Sequence, residues 1–382
     1  MSNQTKYYVA FSHFLGIGPM KFKQLVSYFG NAEKAYQTKP EELIKILGPK
    51  LGEKFLHFRQ NFKADSIVEE LFKKSIQVLT LEDSDYPEQL SQISDPPICL
   101  YVIGNMKILS NKNNMTGKTA AVLETSPSGT AAVKNIFAIV GTRKPTSYGL
   151  QITEQFAGEL AQYGFIIVSG MALGIDSASH WAAINNNGKT IAVLGCGVDI
   201  VYPPSNKALY QKIVETGGAV ISEFPPGRTV LKGLFVARNR LISGLSCGVL
   251  VVEGAKDSGS LITARYAAEQ GRDVFAPPSP ITSPLSEAPN MLLKQGAKLV
   301  TTVSDILEEY QVKIKTKDKE VLFDQLQGLE KQIMEILINE PKTADELAIS
   351  LKQSINQILN SLSLLEIAGI IKKDSQGKFY KI

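Results

Sequence analysis

Six short apolar runs, at residues 136–140, 165–168, 190–194, 219–221, 249–252 and 273–276, alternate with amphipathic stretches and constrain this chain more than any other feature. Strands this short and this apolar are buried on both faces, and their alternation with helices predicts a parallel, doubly wound α/β sheet. The stretch 148–163 shows the helical side of the pattern. Ile152, Phe156, Leu160 and Tyr163 share one stripe at helical spacing, and Gly164 ends it, so these apolar residues are read as core.

The remaining sequence divides around that centre. With 382 residues the chain is long enough for two or three units. Residues 1–75 read as short helices, and Leu15-Gly16-Ile17-Gly18-Pro19 breaks one helix before another opens, a pattern that resembles a helix-hairpin-helix. Such a turn points the amides of Gly16, Ile17 and Gly18 at a phosphate, or is a plain helical turn. Residues 76–310 form the expected central domain. Within it, 106–134 is polar, lacks apolar periodicity and is expected to be a flexible insertion. Residues 311–325, with Lys313, Lys315, Lys317 and Lys319, read as a linker. In 326–382, Thr343 with Glu346 and Ser354 with Gln357 form two capping boxes, and two strands flank a turn at 374–377, which reads as a winged helix. Its expected recognition helix, 354–368, contains no Lys or Arg, which favours protein contact over duplex reading.

Composition narrows the function classes. No apolar stretch approaches the roughly 20 residues needed to span a bilayer, no signal peptide is expected, and Cys99, Cys196 and Cys247 are few and scattered, so a reducing cytoplasm is expected. Net charge is only +4, so any nucleic-acid role needs locally arranged cations. Six of the seven arginines (Arg143, Arg228, Arg238, Arg240, Arg265 and Arg272) lie between 143 and 272, where their forks suit an anion site or ordinary ion pairs.

In doubly wound sheets ligands settle beyond the carboxyl ends of the strands. Four such ends carry polar or glycine-rich turns. The first holds Gly141, Thr142 and Arg143 and is not the Gly-x-Gly-x-x-Gly of a dinucleotide site. The second, Ser169-Gly170 through Gly174-Ile175-Asp176, leads into a helix; Asp176 and His180 stand one turn apart, but no third metal ligand has suitable spacing, and no metal or cofactor is expected. The third, 232–242, packs Lys232, Phe235, Arg238, Asn239 and Arg240 together. Phe235 is either a face for base stacking or a core residue, and Arg238 and Arg240 either touch the ligand or brace the loop presenting Lys232 and Phe235. The fourth contains Gly259, Ser260 and Thr263 at a helix entrance suited to phosphate. Paired carboxylates, a nucleophile with a base and a metal cluster are all missing from these ends, so binding without cleavage is expected; Glu223 and Glu253 are the remaining general-acid candidates.

These residues together resemble the DprA/Smf family. The resemblance rests on Gly141-Thr142-Arg143, Ser169-Gly170 with Gly174-Ile175-Asp176, Val201-Tyr202-Pro203, Ser222-Glu223, Ala237-Arg238-Asn239-Arg240 and the run 258–264, in this order. It implies an extended Rossmann-like central domain that binds single-stranded DNA in a basic pocket, with Arg143, Lys232 and Phe235 at the matching positions. It also implies loading of the RecA recombinase onto that DNA in natural transformation, and a homodimer formed through the central domain. Two departures stand out: Leu173 replaces a frequent basic residue, and Ala276-Pro277-Pro278-Ser279 replaces a proline-glycine turn. Related folds include phosphoribohydrolases and nucleotide sensors. The enzyme reading is weakened because no carboxylate follows the 258–265 turn until Glu269.

Overall fold

A computed structural model describes residues 4–110, 136–312, 328–367, 371–374 and 377–381. The described residues fall into two compact units, one ending at Val312 and the other beginning beyond it. The expected linker at 311–325 lies almost wholly outside the described residues.

The first unit opens with six helices: α1 (Thr5–His13), α2 (Pro19–Phe29), α3 (Ala32–Gln37), α4 (Pro40–Leu47), α5 (Pro49–Asn61) and α6 (Ala64–Lys73). Proline at the first position of α2, α4 and α5 supplies a preset φ and lacks an amide that would be orphaned there. Beyond them come β1 (Gln77–Thr80), α7 (Glu88–Ser91) and β2 (Cys99–Gly104). The doubly wound part follows as β3 (Ile136–Val140), α8 (Ser147–Gln162), β4 (Ile166–Ser169), α9 (Ile175–Asn185), β5 (Thr190–Val193), α10 (Lys207–Glu215), β6 (Ala219–Ser222), α11 (Lys232–Leu245), β7 (Gly248–Val251), α12 (Gly259–Glu269), β8 (Asp273–Ala276), α13 (Glu287–Lys294), β9 (Lys298–Leu299) and α14 (Val303–Glu309).

The nine strands make one sheet in the order β1-β2-β6-β5-β4-β3-β7-β8-β9. From β6 to β9 every neighbour is parallel, while β1 and β2 add an antiparallel edge. The expected α/β class and parallel sheet are borne out. Alternation within β3 shows why both faces are dry. Ala138 and Val140 face one layer with Leu241 and Leu245 of α11, and Phe137 and Ile139 face the other with Phe156 and Leu160 of α8. Each large aliphatic side chain buried this way contributes about 1.5–3 kcal/mol. Chain direction across the sheet reverses between β3 and β7, because β4, β5 and β6 follow β3 on one side and β7 and β8 lie on the other. That reversal makes a topological switch point between the loops after β3 and β7, with the loops after β4 and β5 further along the same edge.

Two expectations are corrected. The insertion expected from Met106 begins later: Met106–Leu109 form a turn of 3₁₀ helix, and Ile108 and Leu109 are buried in the core beneath the sheet. Two apolar residues hidden in a polar neighbourhood anchor the chain there; the rest of the expected insertion, from residue 111, lies outside the described residues. In the 15–19 turn the amide of Ile17 donates to the carbonyl of Phe14 at 3.1 Å and its side chain is buried, so that amide is not offered to a phosphate.

The second unit comprises α15 (Gly328–Leu337), α16 (Ala344–Leu351), α17 (Ile355–Ile367) and an antiparallel pair, β10 (Ile371–Lys373) with β11 (Phe379–Lys381). Both capping boxes form, Thr343 with Glu346 and Ser354 with Gln357. Its core joins Ile333, Leu347, Ile358, Leu362 and Phe379.

Candidate nucleic-acid interface

Packing at the ends of β3, β4 and β5 sets the site. Gly174 adopts φ +78° ahead of α9, and a Cβ there would stand 2.4 Å from the Thr142 carbonyl, so only glycine lets the β3 and β4 loops close on each other. Ile175 then donates its amide to that carbonyl at 3.2 Å. Thr142's own amide is engaged by the Glu253 carbonyl at 2.8 Å, which ties the β3 loop to the end of β7. Arg143, one residue further on, is exposed.

Three of the predicted residues meet around one cleft of about 60 Å³, lined by Arg143, Gly170, Leu173, Tyr202, Pro203 and Phe235. The Arg143 guanidinium lies 5.8 Å from the Phe235 ring centroid. Tyr202 packs on the same ring at 5.4 Å with the planes tilted by 39°. Phe235 is half-buried, so the two readings of it merge: one side seals the β5 loop at Gly195 while the rest lines the cleft. Lys232 stands exposed one turn earlier on α11, and Leu173, the departure from the basic residue, lies on the rim with 46% of its surface exposed. Tyr202 was missed as a site residue. The signal was present, since an aromatic before a proline in the long connection that follows β5 has no helix or strand of its own to pack into.

The other predicted residues divide. Gly259, at the start of α12, is exposed, and its carbonyl accepts from the Asn239 side-chain amide at 3.3 Å, which ties the entrance of α12 to the middle of α11. Ser260 and Thr263 are buried, and the Ser260 hydroxyl is engaged with Ser258 at 2.8 Å. Ser169 is fully buried and donates to the Ile139 carbonyl at 2.7 Å, so its hydroxyl is a strut between β4 and β3. Gly141 packs against Ile175, leaving no room for a Cβ.

Arg238 and Arg240 are interior. Arg238 is 3% exposed and donates to the carbonyls of Gly170, at 2.8 Å, and Val193, binding the β4 and β5 loops to α11. Its guanidinium occupies the space where a Gly170 side chain would begin. Burial pulls its pKa down to about 10, and the Asp176 carboxylate opposes that shift. Asp176 accepts the amides of Gly170 and Ala172; burial pushes its pKa up and Arg238 counters it. Arg240 pairs with Glu223 and, at 3.0 Å, with Asp95. Of the alternatives for this pair of arginines, bracing is the one the contacts support.

The same contacts occupy the acid candidates. Glu223 is held by Arg240 with its side chain 8% exposed. Glu253 accepts from the amide and hydroxyl of Thr146, at 2.9 and 2.5 Å, and so holds the residue that caps α8. His180 is fully buried, with Nδ1 on the Thr190 hydroxyl at 2.6 Å, and burial, with Arg238 adding to it, drops its pKa to about 3. No group of three potential metal ligands occurs among the described residues. The turn at 276–279 is held, with Tyr148 donating to Pro278 at 2.6 Å and Asn290 to Ser279 at 3.2 Å. A larger groove of about 580 Å³, beside α12, β8 and α13, contains none of the predicted site residues.

Comparison with known proteins places the chain in a family. The sequence profile of the family described as DNA recombination-mediator protein A matches residues 77–311. Protein Smf of Synechocystis is 32% identical over 416 aligned positions, covering 100% of this chain and 99% of its own. The X-ray structure of DNA processing protein A from Streptococcus pneumoniae superposes with a TM-score of 0.66 at 34% identity, covering 81% of this chain and 98% of that one. A structure concerned with the unique single-stranded DNA binding mode of DNA processing protein A from Helicobacter pylori gives a TM-score of 0.50 at 31% identity, covering 62% of this chain and 96% of that one. Among the described residues no helix is long and apolar enough to cross a membrane.

Proposed function

Because this chain belongs to the DprA/Smf family of DNA recombination-mediator proteins, we propose that its cleft at the ends of β3, β4 and β5 binds single-stranded DNA without strong sequence preference and without cleaving it. The observation that carries this reading is the exposed Arg143 guanidinium beside the paired rings of Phe235 and Tyr202. Cations that track a backbone next to aromatic faces suit a flexible single strand, since every base has a face to stack. Lys232 and the entrance of α12 at Gly259 extend the cationic and amide-rich surface along the strand ends.

Binding rather than chemistry is supported by the engagement of Asp176, Glu223 and Glu253 in structural contacts. Glu269, the first carboxylate after the α12 turn, sits on the exposed side of that helix within 3.7 Å of Arg265, which further weakens the phosphoribohydrolase reading. We also propose the family's finer activity for this chain: a cytoplasmic homodimer that loads RecA onto the bound strand, with the second unit, a winged helix in this reading, serving protein contact through α17. Stimulation of RecA strand exchange on DNA coated with single-strand-binding protein is the expected result, and its absence removes the loading proposal.

The site is tested by measuring oligonucleotide affinity of Arg143→Ala and Lys232→Ala. Each is expected to weaken single-strand binding about tenfold at low salt and to flatten the salt dependence by about 0.7 in log-log slope. Affinity near that of the unaltered protein in both variants, with folding intact, overturns the assignment.

A further inference from the structure

The cations of this chain form two populations, and the cleft uses only one. Residues 1–75 hold twelve Lys and Arg side chains against seven Asp and Glu, a surplus of five in a chain whose whole net charge is +4. Everything after them is therefore close to neutral. The one arginine there, Arg59, is turned onto the carbonyls of Tyr36 and Thr38, and Lys6 is paired with Asp65 at 3.0 Å. The excess falls to lysines elsewhere on the helices.

Two related turns place four of them. Gly18-Pro19 opens α2 and Gly48-Pro49 opens α5. In both helices the third and sixth residues after the proline are buried, Phe22 and Leu25 in one and Gly52 and Phe55 in the other, so matching faces enter the core. The first turn lies on the start of α5: Phe14 packs edge-on against Phe55 at 5.1 Å, and a Cβ on Gly16 would stand 2.6 Å from Leu51 Cδ1. Lys50 and Lys54 share one face of α5, and Lys21 and Lys23 flank the beginning of α2. All four are exposed, and none has an ion-pair or hydrogen-bond partner among the described residues. Glu53 is the single carboxylate on the two helices.

We propose that this lysine surface is a second nucleic-acid site, which holds the phosphate backbone of duplex DNA. Lysine is a mobile point charge suited to phosphates and blind to sequence. The turns themselves, residues 15–20 and 48–50, contain no aromatic side chain, so they offer no platform for an unstacked base and favour a backbone whose bases stay paired. The chain then holds a single strand at the sheet and a duplex at the helices, as a junction between the two requires.

The test uses the full chain with a duplex of about 20 base pairs and the matching single strand, over a range of salt. In the variant with Lys21, Lys23, Lys50 and Lys54 all changed to Ala, duplex affinity is expected to fall at least about tenfold, and the log-log salt slope to become shallower by about three to four. Single-strand affinity stays within about twofold, and the Arg143→Ala, Lys232→Ala double variant shows the converse pattern. A matching Lys→Gln set, judged by its thermal melt, guards against a folding artefact. Unchanged duplex affinity and slope in both lysine sets, absence of duplex binding by the unaltered protein, or loss of duplex binding in the cleft variant overturns the proposal. Failure of the cleft assignment alone leaves the lysine variants' duplex result readable.

Discussion

The two halves of α11 take cations of equal formal charge into opposite surroundings. Lys232, at its start, stands in solvent, whereas Arg238 and Arg240, within two turns, are 3% and 5% exposed. The first half leaves its charge in solvent. The second offers charge to the protein, closing the β4 and β5 loops through Gly170 and Val193 and holding Glu223 and Asp95. A cluster that is continuous in sequence is thus split by helix rotation, and its most recognisable part, Ala237-Arg238-Asn239-Arg240, supports a site it barely touches.

The largest effect expected from this contrast is on stability. Arg238→Met leaves Asp176 buried without its counter-charge and strips the loop carbonyls of a donor, which is expected to destabilise the first unit by about 3–5 kcal/mol. Urea unfolding measures it, and a stable variant with weakened DNA binding would return Arg238 to the ligand side of the contrast. The interior half also predicts a pH response. His180 titrates at about 3 in the folded protein against 6.5 when unfolded, so the unfolded chain binds the extra proton between these values and stability falls as pH drops through that window. Between pH 7 and pH 5 the loss is about 2 kcal/mol, and His180→Gln is expected to remove it. A smaller and purely functional effect belongs to the open half. Phe235→Leu keeps an apolar plug over the β5 loop but loses the ring, and single-strand affinity should fall by about 1–3 kcal/mol with little change in thermal melting. A large drop in melting temperature would show that the ring is core.

Much of the fold is written in the local pattern. The runs at 136–140 and 273–276 are strands to the residue, and the stripe Ile152, Phe156, Leu160 packs as expected. β1 and β2 escaped because they lie among long connections, outside the alternation of strands with helices, and β9 is two residues whose strand character comes only from pairing with β8. The site was less legible because residue type does not state a direction. Arg143 and Phe235 come together across 92 residues, which only the sheet can arrange. The burial of Arg238 was readable in principle: it shares a helical stripe with Leu241, Ile242 and Leu245, all core, whereas Lys232, Phe235 and Asn239 form the other stripe. Ser169 deceived for a different reason. A serine at a strand end can face the ligand or the neighbouring strand, and a single sequence does not distinguish them.

The helices before β1 bear on how this protein can be cut. Their core is continuous with the antiparallel edge of the sheet: Val78, Ile98 and Tyr101 lie in one cluster with Tyr8, Phe11 and Phe55, Val198 from the β5 loop joins them, and the Tyr101 hydroxyl is 2.6 Å from Ser12. A gene truncated just upstream of β1 would encode a sheet with an oily, polar-starved flank and a tyrosine missing its partner. Such a fragment invites aggregation, and failure to recover it would say nothing about DNA. The smallest honest fragment of the first unit therefore begins where α1 does.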